Sequence, residues 1–286
     1  MREGAPTLSP VAAPQGGAGR LGTARRRVWA LVSGTLPGAQ GGTLLAAGAG
    51  AHVDLQTAVI IGGTLANTGG GVIQTVDRGS VLRGGSLVAG SAITVLNNTT
   101  LTLRDALSQA AVVSLASVGN YTQLAIAGGV GLQAGSLVQL SDNFENRITS
   151  NGAATTLTNA GTIQGSGRLG DGDANLALVN RGTVISDGGG GMTLNVAGGT
   201  AVNAGLMENT GAGGLLILGS TLDNTAGGTL AATGAGTHVD LQTATIVGGT
   251  LATAGGGVIQ TLDRGSVIRN ATMSAGSTVR VGNNTS

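Results

Sequence analysis

The feature that most constrains this chain is that it repeats itself at two scales. Residues 41–100 align with residues 227–286 without a gap, at an offset of 186 (227 − 41), and 41 of those 60 positions are identical. "GGVIQTVDRGSVLR" at 70–83 returns as "GGVIQTLDRGSVIR" at 256–269. A shorter period runs beneath. Units opening on a glycine pair begin at Gly41, Gly62 and Gly84, and again at Gly227 and Gly248, 21 or 22 residues apart. Repeats of roughly 20–50 residues mark stacked architectures, in which one unit cannot bury its apolar side without its neighbours.

Within the units, apolar residues alternate with small or polar ones. Val53/Leu55, Ile93/Val95, Leu101/Leu103, Leu176/Leu178, Leu194/Val196, Leu215/Ile217, Val239/Leu241 and Val279/Val281 are such pairs. A period of two predicts strands with one buried face. Asn-Gly and Asp-Gly reversals are sparse, which sets aside a tandem array of hairpins. A β-sandwich array would need more turn signals and aromatic anchors than the chain has. The pattern therefore predicts an all-β parallel β-helix (solenoid) of about a dozen coils of roughly 21 residues, stacked about 4.8 Å apart. Within 70–83, residues 72–76 and then Val81 and Leu82 read as inward segments on either side of a charged turn. Residues 102–118 read as a degraded rung in preference to a helical turn.

Composition fixes what fills such a coil. Trp29, Tyr121 and Phe144 are the only aromatic residues, so the core must be aliphatic. Glycine and proline together, 55 and 4 residues, make about a fifth of the chain, short of the roughly 25–30% that signals low-complexity disorder. Cysteine is absent, which excludes disulfides and thiolate metal sites. No apolar run reaches the roughly 18 residues of a membrane-spanning helix, so no transmembrane segment is expected.

Residues 1–40 form a different text. They hold all four prolines and a net charge of +4, whereas residues 41–286 carry nine arginines against twelve acids, a net of −3. This divides the chain into a disordered or non-native leader, 1–40, and a β-helical repeat domain, 41–286. The apolar patch at 28–32 is too short for a secretory signal. The main body has neither a basic stripe nor stacking aromatics, so nucleic acid is not an expected partner.

Few stretches suggest chemistry. In "GDGDAN" (170–175), Asp171, Asp173 and Asn175 alternate, so an extended segment would place their oxygens on one side. Hard oxygen donors suit calcium, and the three residues are the candidate metal set, weighed against a plain polar turn. Asp171 and Asp173 also supply the pair of carboxylates a glycosidase needs. "HVDLQT" (52–57 and 238–243) places His52, Asp54 and Gln56 outward and reads as a solvated face, since a catalytic pair rarely recurs once per structural unit. Asp77-Arg78 and Asp263-Arg264 read as charged corners without a tight ion pair. Asn97-Asn98 and Asn283-Asn284 read as stacked amides at a corner. The glycine run 188–191 lacks the Lys-Ser/Thr of a phosphate loop. No catalytic residues and no cofactor are expected.

"GGTL…GGGVIQT" (62–75 and 248–261), "SAGSTVRVGNNT" (274–285), "LSDNFENRIT" (140–149), "LTNAGTIQGSGRLGDG" (157–172) and "LVNRGTV" (178–184) resemble the repeats of filamentous-haemagglutinin-like adhesins and autotransporter passenger domains. The resemblance covers nearly everything after residue 40. It implies a right-handed β-helix, export to the cell surface or outer membrane, and an adhesive or structural role. The implied partners are host or neighbouring-cell surfaces or glycans. The chain stops mid-repeat, so it is expected to be a piece of a longer parent protein. The alternatives are a carbohydrate-active β-helix enzyme and a truncated fragment with no role of its own.

Overall fold

The computed structural model describes residues 29–105, 110–197 and 199–282. Among them all regular structure is strand, and no helix is long and apolar enough to cross a membrane. The strands pair in parallel and build a parallel β-solenoid of about 11 turns spaced about 22 residues apart.

Among the described residues a coil typically lays down three short strands on three faces. The first face can be followed as one column of paired residues. It runs Ala30, Val53, Ile73, Ile93, Val113, Val138, Ile163, Val184, Met207, Leu230, Leu251 and Met273. The second face follows the first around a corner, and the third closes the coil. Some strands carry across corners, as Trp29–Ala47, His52–Thr68 and Leu137–Ser150 do. From residue 129 onward the third face is a separate sheet of seven strands.

Alternation works as the pattern dictates. Seven of the eight pairs quoted above point inward and are buried, while in the last, Val279 is half-buried and Val281 exposed. One aliphatic cluster runs the length of the shaft without an aromatic residue in it. Full burial of a leucine or isoleucine contributes about 1.5–3 kcal/mol, so each coil is held by a handful of such side chains. Two expectations for residues 72–82 need correction. Ile73 and Thr75 point inward, so the same alternation turns Val76 outward, and it is 37% exposed. Leu82 is buried beside Ser80, whereas Val81 lies half-buried on the outer side of the strand. Residues 102–118 contribute Thr100–Arg104 and Val112–Ala116, two rungs and no helix among the described residues.

The first coil reaches back past residue 41, because Trp29–Ala47 pairs with His52–Thr68 and places Pro37 opposite Ile61. Among the described residues that first strand pairs on one side only, where a proline removes no ladder bond. Residues 1–28 lie outside the described residues, as do Asn283 and Asn284.

The two near-identical segments do not occupy equivalent places. Residues 52–55 lie on the first face, in the column of Ile73 and Ile93. Their copies at 238–241 pair with 215–217 and 258–261, on the second face. The shift is consistent. Residues 43–47 are on the third face and 229–233 on the first, while 80–83 are on the second and 267–269 on the third. The superrepeat thus advances by whole coils plus one third of a turn, and the same words build different walls.

Candidate functional site

The described surface is interrupted by a groove on the second face, where charged and aromatic side chains gather. Outward residues there fall into two columns. Thr100, Gln123, Arg147 and Arg168 follow one another in register, and beside them run Thr102, Ala125 and Thr149. The second column is short side chains, and it forms the floor of a groove of about 570 Å³. Its lining passes from Arg78 through Tyr121 and Asn151 to Asp171 and Asp173, five successive coils. Four steps of about 4.8 Å give a length of about 19 Å along the shaft axis.

Register alone would stack Arg147 directly on Arg168, a costly juxtaposition of like charges. Two acids resolve it. Glu145 accepts from Arg147 at 2.7 Å and lies 3.7 Å from Arg168. Asp171 accepts from Arg168 at 2.8 Å and also pairs with Arg147. Burial works against the Arg147 charge, but Glu145 and Asp171 outweigh it and hold the guanidinium proton more tightly than usual. The guanidinium planes also cover rings. Arg147 lies 4.3 Å and Arg78 5.5 Å from the Tyr121 centroid, and Arg168 lies 4.2 Å from that of Phe144, within the range of cation–π attraction. Two of the chain's three aromatic residues thus belong to this one neighbourhood.

The candidate calcium residues lie at the end of the groove, but not in the arrangement their spacing suggested. Residues 170–175 are a turn and not an extended strand, with Asp171 at a positive φ of 50°, a conformation aspartate tolerates better than most residues. The oxygens therefore turn to different partners. Those of Asp171 take the two arginines. Asp173 accepts from the backbone amides of Ser150 (2.6 Å) and Asn175 (2.9 Å). Burial opposes its ionisation, yet the hydrogen bonds from Ser150 and Asn175 hold its carboxyl below the ordinary range. Asn175 is exposed. Among the described residues no three His, Asp or Glu side chains converge as a metal site requires. Both carboxylates of the possible glycosidase pair are likewise committed to partners within the chain.

The other candidates have structural settings. Asp54 and Asp240 each accept from a glutamine one coil on, Gln74 and Gln260, at 2.8 Å. His238 adds a 3.0 Å contact to Asp240. The same outward arrangement therefore occurs on two faces, as a repeated surface would. Asp77 caps its own turn, accepting from Gly79 and Ser80, while Arg78 reaches to Asn98. The glycines at 189 and 190 fold over Asp142. Ser166 (2.6 Å) and the amides of Gly190 (2.7 Å) and Gly189 hold its carboxyl below the usual range.

Asn97 and Asn98 do not stack as amides. Asn97 accepts the backbone amides of Val118 and Asn120, and Asn98 takes a positive φ of 64° at the corner. The amide ladder lies elsewhere. Asn159, Asn180, Asn203 and Asn224, each without exposure, pass one hydrogen bond of 2.8 Å from coil to coil. Its sequence signal is Asn-x-Gly at 159, 180 and 203. No family profile, curated protein or solved structure matches the chain.

Proposed function

We propose that the chain is a structural and adhesive shaft segment of a bacterial surface or secreted protein, without catalysis of its own. The observation that carries this reading is the column from Ala30 to Met273, an unbroken stack whose aliphatic core needs nothing from outside to continue. Such a stack sets distance and presents the same outward features again and again, here His-Asp-Gln on two faces. Absence of lysine and cysteine leaves few reactive groups on that surface. The commitment of Asp171 and Asp173 to internal partners favours this reading over a hydrolase. The repeats' resemblance to filamentous-haemagglutinin-like and autotransporter passenger sequences supports export.

The test uses the missing cysteine. Val118 is 80% exposed, so a Val118→Cys variant at the native locus offers a single thiol. A membrane-impermeant maleimide applied to intact cells is expected to label it. Labelling only after lysis would overturn the surface assignment.

A further inference from the structure

A shaft needs no groove, yet this one has a groove with a distinct chemistry. We propose that the groove along Tyr121 binds a neutral oligosaccharide lengthwise. Four observations lead there. The groove is open, about 570 Å³ in volume, and crosses five coils, within the roughly 300–1,000 Å³ of ligand sites and shaped for a linear chain. Its floor is short side chains, Thr102 and Ala125 among them, so the trough comes from side-chain size and not from a break in the sheet.

Next, its hydrogen-bonding groups are only partly spent. The hydroxyls of Tyr121 and Thr102 and the Asn151 side chain line the groove and make no hydrogen bond to other described residues. Hydroxyl and amide groups both donate and accept, which suits a ligand whose own hydroxyls do the same. Gln123, bonded to Thr100 and Thr149, is held in place across the floor.

Finally, the charge is balanced. The lining carries Arg78, Asp171 and Asp173, and behind it Arg147 and Arg168 pair with Glu145 and Asp171, so three positive and three negative groups sum to zero. With no net charge along the groove and its backing, the electrostatics favour neither a polyanion nor a polycation. What remains is an elongated, uncharged, hydroxyl-rich molecule. This inference goes beyond the shaft reading, which stands or falls by surface labelling whatever the groove binds.

Isothermal titration of the whole chain with cellotetraose, maltotetraose, chitotetraose and mannotetraose tests it, with tetragalacturonate as the acidic comparison. At least one neutral tetrasaccharide is expected to bind saturably. Tyr121→Phe removes one hydroxyl and keeps the ring beneath the guanidiniums, and Asn151→Ala removes one exposed amide. Each is expected to weaken binding about fivefold, the loss of one net hydrogen bond, with the melting temperature unchanged. Three results would overturn the proposal: no heat from any neutral member at millimolar concentration, binding confined to tetragalacturonate, or binding that both variants leave intact.

Discussion

Asn180 shows how much a single side chain does in a coil that stacks like on like. Its amide donates to Asn203 and to the carbonyl of Leu206, and its oxygen accepts from Asn159. Replacement by alanine strands buried partners above and below, and unmade buried bonds cost about 1–3 kcal/mol each. Asn180→Ala is expected to lose about 3 kcal/mol in urea unfolding, with circular dichroism still reporting strand. An unchanged midpoint would show that the ladder is ornamental. Asp142 gives a pH signature. Its folded pKa lies below its unfolded value, so its contribution is full above about pH 4 and disappears as pH falls through the folded pKa. Asp142→Ala is therefore expected to melt below wild type at pH 7, with the gap closing in acid. A gap that widens in acid would reverse the sign. Neither role was readable at the right place. The doublet Asn97-Asn98 suggests stacked amides, while the Asn-x-Gly recurrence that forms the ladder is spread over coils of unequal length.

At the scale of the coil, strands and corners obey different rules. Strands were legible because inward positions alternate, and one buried column after another falls where Leu, Ile and Val recur. The errors at Val76 and Val81 come from reading apolar runs as wholly inward, where the alternation turns each of them outward, and Val281 lies on the last described coil. Some corners are set by a positive φ, as at Gly90 (81°), and others by close approach. A Cβ at Gly182 would sit 2.1 Å from the Gly161 carbonyl oxygen, and one at Gly205 would meet the Gly182 oxygen at the same distance. Gly129, by contrast, has open space beside it. Gly182→Ala is expected to cost about 3 kcal/mol through overpacking, and Gly129→Ala a few tenths at most; equal losses would mean that backbone freedom alone, not stacking, chooses glycine. The groove was the least legible element. Asp171 and Asp173 stand out in the sequence, but their partnership with Arg147, Arg168 and Ser150 depends on coil register. That register steps by 20 residues from Ile93 to Val113 and by 25 from Val113 to Val138. Tyr121 stood out only as a rare aromatic.

For the whole molecule, the sequence spoke clearly about period and kept silent about phase. A duplication of 186 residues reads as about nine coils, and the two copies look superimposable along the shaft. In the structure the second copy is turned one face onward, so His52 and His238 project from different walls. This is physically possible because each face offers the same environment: an alternating strand, aliphatic neighbours above and below, and a tight corner at either end. Whatever the repeated face presents, it presents in two directions, and a bound surface would meet the copies at separated angles. The phase can be read with paired cysteines, since the native chain has none. Leu216 and Asp240 are register partners on outward positions of the second face, and stacked strands bring such residues to a separation a disulfide can bridge. If the copies were in phase, residues 238–242 would instead take the first face and set Asp240 below Glu208. Mild oxidation of the Leu216→Cys/Asp240→Cys protein is predicted to close the disulfide, while Glu208→Cys/Asp240→Cys stays reduced. Closure of the second pair and not the first would contradict the phase shift and the coil assignment on which it rests.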